Sequence, residues 1–411
     1  MTINTKIFVN PKQILFLFLL LLVLVLPNLE APKNLFFLGF FLTWFVYSYK
    51  SNDFGGDWKI LDTLFLIWII IDIMAGLNAL ISHAQPFKGS FDLLRYLTFG
   101  WLMSRIAFKV ELIKKIVIFS GISILPIFFM MISSDCYYGQ CLMLNSVGHV
   151  NHTAIYIVLV VNILTAYFLG NISKMKNFEL ISFISLIILY SALVVLTNSR
   201  AATGLLFFNF LFFLIYSYKE LHKKNFLIIA SSFAIFVLSV FVFKAPVIDR
   251  FYEGFTSKVI STRERINNFS YELVKIDPIL GTGLGNYPNF GLKDIKARLI
   301  QSNGEKWWDS NKGKFVAYVH PHNIYFYMLT GGGILLLLSF VIFFLYFFMA
   351  LFKTSFKAKF SWINIAAFNI SLVILGIGFV NTSLAHENAL LSFMIIGIYF
   401  SNLRFKNIQI K

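Results

Sequence analysis

Apolar runs long enough to cross a bilayer recur along almost the whole chain, and this limits the fold to a bundle of membrane helices. In hydrocarbon every backbone N–H and C=O needs a partner within its own segment, which a helix supplies. One crossing takes about 20 apolar residues. Of 411 residues 58% are hydrophobic and 13% charged, with a mean hydropathy of +0.76, which excludes a water-soluble globule. Hydropathy marks about twelve spans, at approximately 14–27, 35–48, 60–82, 90–108, 115–133, 152–170, 177–197, 201–218, 225–243, 323–352, 361–384 and 388–403. The expected fold is an all-α integral membrane protein.

Basic residues in the loops set the orientation. Arg105, Lys109, Lys114 and Lys115 flank one connection, and Lys174 and Lys176 the next but one. Lys219, Lys223 and Lys224, then Lys353, Lys357 and Lys359, and finally Arg404, Lys406 and Lys411 continue the series. The loops between are poor in Lys and Arg, and residues 134–150 have none. Both termini are therefore expected in the cytoplasm and the long polar segment 244–322 outside. The net charge of +16 follows this topology and the anionic headgroups it meets. It is scattered, not gathered into a patch, so no nucleic-acid partner is expected. Lys6 and Lys12 precede the first apolar run as in a signal peptide, but no small-residue cleavage site follows, so a retained span is expected. Cys136 and Cys141, in one external loop, either form a local disulfide or remain two thiols. Neither reading gives them a function.

The polar segment divides the chain into a bundle of about nine spans over 1–243, a loop domain over 244–322 and a bundle of three spans over 323–411. Within the loop, 259–276 reads as a helix opened by Ser261 or Thr262 with Glu264 in its first turn, and stopped by Asp277-Pro278. Gly281, Gly283 and Gly285 then suggest a flexible turn. A lone Gly-x-Gly-x-Gly is weak evidence for phosphate binding.

Several polar residues stand where chemistry is possible. Arg200 sits in Thr197-Asn198-Ser199-Arg200, a short hinge between two spans; it either anchors a helix end by snorkelling or has a task. Arg263 and Arg265 open the loop helix, where exposed arginines are ordinary. His320-Pro321-His322-Asn323 stands at the mouth of the next span, and histidine moves a proton near neutral pH. No cluster of Cys, Asp or Glu completes a metal shell around these rings, so no metal is expected. Asn145, His149, Asn151 and His152 line the external mouth of the sixth span and suit a sugar site. Asp72 and Arg95 are placed to pair within the bundle. His386 and Glu387 form a second acid/base candidate or simply a solvated loop. Taken together, external arginines beside a histidine pair suit an anionic, lipid-borne substrate.

These residues resemble the O-antigen ligase and polymerase superfamily of bacterial polytopic glycosyltransferases. The likeness runs from about Asn145 to Gly333. It rests on Ser199-Arg200-Ala201, on the loop helix that begins with Arg and ends Asp277-Pro278-Ile279-Leu280-Gly281-Thr282-Gly283, and on His320-x-His322-Asn323 followed by Leu329 and Gly331–Gly333. The resemblance implies about twelve spans with one large periplasmic loop before the third-last. It implies transfer of a glycan from undecaprenyl diphosphate at the periplasmic face of the inner membrane, with the lipid A–core oligosaccharide as acceptor in the ligases. It also implies a metal-independent reaction with no cofactor and no nucleotide sugar. Carried over, Arg200, Arg263 and His322 are the catalytic residues, with Arg265, His320, Asn323 and Asn151 around the substrate. The choice of Arg263 over Arg265 rests on its distance from Pro278, since Ile266–Phe269 depart from the family's aromatic pattern. A polymerase that joins lipid-linked repeats shares this donor chemistry. A secondary transporter would instead place its ionisable groups near mid-bilayer, where only Asp72 and Arg95 stand, and Trp307 and Trp308 point to recognition outside the hydrocarbon.

Overall fold

The computed structural model describes residues 10–128, 142–220, 223–242, 261–355 and 361–405. Cys136, Cys141, Lys6, Lys357, Lys359, Lys406, Lys411 and the first part of the polar segment, 244–260, lie outside these. The described residues contain helices and no strand. A helix overlaps each segment read as a span: α1 (Pro11–Val25), α2 (Glu30–Ser51), α3 (Ile60–Ser82), α4 (Lys88–Ser104), α5 (Val110–Ile122), α6 (Val150–Asn171), α7 (Asn177–Leu196), α8 (Arg200–Glu220) and α9 (Lys223–Val242). The polar segment supplies α10 (Thr262–Val274), α11 (Leu292–Asn303) and α12 (Glu305–Asn311), followed by α13 (Ile324–Ser355), α14 (Trp362–Gly378) and α15 (His386–Phe405). Among the described residues, five stretches are long and apolar enough to cross a membrane: Ile60–Ser82, Val150–Lys174, Asn177–Leu196, Ile324–Thr354 and His386–Phe405.

Helix α6 forms the centre. It is apolar on every face, which suits burial all round, and its side chains from His152 to Leu169 are buried. Helices α7 and α14 pack on it, and α15 packs on α4. One end of the bundle is tied by a buried ionic knot. Asp62 at the start of α3 accepts from Arg105 Nε at 3.0 Å, from Trp101 Nε1 at 2.9 Å and from Arg404 at 2.7 Å. Asp72 and Arg95 do not pair as expected. Residues 90 and 95 lie about 140° apart around α4, so Ser90 meets Asp72 while Arg95 turns towards α2, bonding Asn34 of that helix at 3.0 Å and Asp92 of its own helix at 3.3 Å.

At the opposite end the polar segment folds around its own small core. Ile266, Phe269 and Leu273 of α10 meet Tyr287, Ile295 and Leu299. Trp308 belongs to this core, stacked on Phe315 with ring centroids 6.0 Å apart, and so is a packing residue where recognition was expected. Helix α10 starts as read: Ser261 Oγ accepts from the Glu264 N–H at 3.1 Å.

Two expectations about glycines change. The run read as one span over 323–352 is broken at Gly333, whose φ of 63° and ψ of −166° suit glycine alone. The Gly281–Gly285 turn is not slack but docks against that break. Thr282 N–H donates to Thr330 O at 2.9 Å, Gly283 N–H to Gly331 O at 2.8 Å and Ile334 N–H to Pro278 O at 2.8 Å. Asp277 adds an anchor to the end of α3, accepting from Asn78 Nδ2 at 2.7 Å and lying 3.2 Å from His83 Nε2. The loop helices are thereby held over one end of the bundle.

Candidate active site

The turn between α7 and α8 places the first cation. Asn198 takes a left-handed conformation (φ 55°), which asparagine tolerates better than most residues, and α8 then begins at Arg200. The free N–H groups of a helix start favour an anion. Arg200 lines a cavity of about 100 Å³ with Asn151, Asn198, Arg263 and Asn381. Arg200 and Arg263 also line a wider space of about 690 Å³ that runs down past Gly204 and Phe208. Partial burial, and then the charge of Arg200, lower the Arg263 pKa. An anion between the two guanidinium groups would relieve that repulsion.

Arg265 lines neither cavity, since two residues further on it lies about 200° around α10. Its Nε is buried without a partner among the described residues, and its carbonyl accepts from Val316 N–H at 3.2 Å. Asn151 does stand beside the arginines, as expected.

His322 is tied to this space through its hydrogen bond with Asn381 and the nearby charge of Arg263. It holds a left-handed φ of 49°, strain of a kind that gathers at functional sites. Its ring lies 4.0 Å from that of His320 and 5.2 Å from Tyr318, between centroids. Burial first, and then the Arg263 charge, lower the His322 pKa, while a hydrogen bond from His322 to Asn381 works in the opposite direction. The ring is consequently neutral at ordinary pH and free to accept a proton. Burial, with His322, His149 and His386 nearby, pushes His320 down to about 4.

More histidines gather here than the motif contained. His152 lies 6.2 Å from His320, 5.8 Å from His386 and 6.3 Å from His149. Five of the chain's seven histidines thus form one group. His149 caps α6, its Nδ1 accepting from Asn151 N–H at 3.1 Å. Asn323 caps α13: its Oδ1 accepts from Tyr325 and Phe326 N–H at 2.9 and 3.1 Å, and its Nδ2 reaches Phe379 O at 3.4 Å. The side chain expected near substrate therefore fixes the helix start behind His322. Asn145 bonds the Asn28 carbonyl at 3.2 Å, away from the arginines.

His386 and Glu387 are not a solvated pair. His386 is left-handed (φ 52°) and joins the histidines, whereas Glu387 is buried and bonded to Lys33 and to Ser146. A carboxylate in that position needs a counter-charge, and the first turn of α2 brings Lys33. Sequence reasoning missed Asn381, the contact between the arginine cavity and His322. Its only signal was a short polar run, Asn381-Thr382-Ser383, between two apolar segments.

Fold and site together define a helical membrane protein with a cationic cavity beside a neutral histidine, a setting for an anionic substrate held at the membrane. A family model described as O-antigen ligase matches residues 184–341, a stretch that takes in both arginines and the His320–His322 pair. Over that stretch the chain is similar to the O-antigen ligase and polymerase superfamily. Its function is of ligase or polymerase type, a transfer of lipid-linked glycan to a lipid acceptor in the general sense. No curated protein matches the chain.

Proposed function

We propose that this protein is an O-antigen ligase that moves glycan from undecaprenyl diphosphate to the lipid A–core oligosaccharide at the periplasmic face of the inner membrane. The carrying observation is the shared cavity of Arg200, Arg263, Asn151 and Asn381, with Asn381 bonded to His322. On this reading the chain crosses the membrane about twelve times, with 1–243 and 323–411 as the bundles and 244–322 as the periplasmic domain.

Arg200 and Arg263 hold the diphosphate through forked N–H pairs. They supply the positive charge that the departing diphosphate requires, so the step needs no metal. The acceptor hydroxyl attacks the anomeric carbon and passes its proton to His322. The bond from that carbon to the diphosphate oxygen breaks with its electron pair, and a single displacement inverts the centre. General-base assistance of this kind is worth roughly 10²–10⁴ in rate. An apolar groove of about 450 Å³ between α8 and α9 suits the polyprenyl chain, because Gly204 and Phe208 line both it and the wide arginine cavity.

The arginines test this assignment. In the native host, Arg200→Ala and Arg263→Ala abolish transfer at normal membrane abundance, whereas Arg265→Ala retains it. Loss in Arg265→Ala with activity in Arg263→Ala would exchange their roles.

A further inference from the structure

A second cavity, of about 500 Å³, lies across the histidine group from the arginines. Neighbouring residues part to face the two sides: Asn381 lines the arginine cavity and Thr382 lines this one. His320, His152, His386, Tyr96 and Asn289 form part of its wall. His152 is only 7% exposed, yet its Nδ1 has no hydrogen-bond partner among the described residues, and neither has His320 Nε2. Buried polar atoms left in this state forfeit their bonds to water with nothing in return. A ligand rich in hydroxyls would offset that cost. Aromatic faces mixed with such atoms suit a saccharide, and the volume falls in the usual range of roughly 300–1,000 Å³ for small-molecule sites.

Helix α4 joins this cavity to the membrane. Its Asp92, Leu93 and Tyr96 face the cavity, whereas Phe91, Leu94 and Arg95 line a groove of about 500 Å³ against Phe37 and Leu38 of α2. Leu38 and Phe91 are 52% and 65% exposed on what is otherwise an apolar helix face. The Asp92–Arg95 pair, at 3.3 Å, links the two spaces. Arg95 bonds Asn34, but its buried Nε has no partner among the described residues. An arginine beside an apolar groove, with an N–H to give, matches a lipid that carries an anionic headgroup. The α8–α9 groove opens instead onto the arginine cavity, so the two grooves serve opposite sides of the histidines.

We infer that the acceptor binds here as an amphiphile, its saccharide in the cavity against His152 and His320 and its acyl chain in the α2–α4 groove, with Arg95 at its anionic headgroup. This rests on the reading that two membrane-held glycans meet at His322. It adds where the acceptor lies and from which side it arrives.

The test uses the full chain in membranes of the native host, with the photo-cross-linker p-benzoylphenylalanine in place of the exposed Phe91, and separately of Phe208. Mass spectrometry of the adducts should show a lipid-anchored saccharide at 91 and a polyprenyl-linked glycan at 208. Bulk phospholipid alone at 91, or the polyprenyl donor there, would overturn the assignment. Leu94→Trp, which fills the groove, should raise the acceptor concentration for half-maximal transfer at least tenfold and leave that for the donor unchanged. An unchanged acceptor dependence sinks this inference alone. Transfer that survives Arg200→Ala and His322→Ala would instead remove the reading on which it stands.

Discussion

Gly281→Ala tests whether the docked turn holds the loop arginine in place. Gly281 has a φ of 69°, and an added Cβ would lie 2.6 Å from the backbone of Gly331, Gly332 and Gly333. Ordinary contact begins at 3.4 Å, so the turn must retreat by about 0.8 Å. Hydrogen bonds of 2.8–2.9 Å to α13 then stretch to about 3.6–3.7 Å, beyond useful length. Three such bonds at roughly 0.5–1.5 kcal/mol each, with about 1–2 kcal/mol for alanine in the left-handed region, total roughly 2.5–6.5 kcal/mol. That is a factor of about 10²–10⁵ in the docked population. The assay pairs glycan transfer in host membranes with limited proteolysis of the loop segment. Gly281→Ala should lose most transfer and expose the loop, while Gly313→Ala, whose Cβ meets nothing within 4 Å, should behave as wild type. Full transfer and full protection in Gly281→Ala would refute the claim that this strap positions Arg263.

Other consequences follow from charge. His322 must be neutral to accept a proton, and its pKa lies below the ordinary 6.5, so activity is complete at neutral pH and lost as pH falls through the lowered value. Asn381→Ala removes the bond that raises this pKa and should move the acid limb of the rate profile to lower pH; a shift upwards contradicts the assignment. Lys33→Met leaves Glu387 buried without its counter-ion and should destabilise the protein by about 3–5 kcal/mol. Adding Glu387→Met should restore most of the heat stability of the solubilised protein, and a double variant as weak as the single one would show that the pair is not the cause.

What could be read from the sequence was what periodicity and local chemistry control. Apolar runs located the helices, Ser261 and Glu264 located the start of α10, and Asp277-Pro278 located its end. Arg200 and Arg263 sit 63 positions apart in the sequence by their numbering and yet share a cavity, a proximity suggested by their common external placement and by the family resemblance. Pairings set by tertiary geometry were not legible. Asp72 and Arg95 looked like partners because both are charges in apolar runs, but the phase of α4 turns them apart. Glu387 looked solvated because its loop is short and polar, and Lys33, which buries it, lies more than three hundred residues away. Asn323 read as a ligand-binding residue because of its place in a motif, and its amide turned out to cap α13.

The central claim is that His322 takes the proton in transfer to the lipid A–core. The most direct measurement is a lipopolysaccharide gel from the native host carrying His322→Ala, with the undecaprenyl-linked glycan extracted in parallel. The account predicts bare lipid A–core together with long polymer retained on undecaprenyl. An unchanged profile would contradict it, and core bearing a single repeat would mean a polymerase.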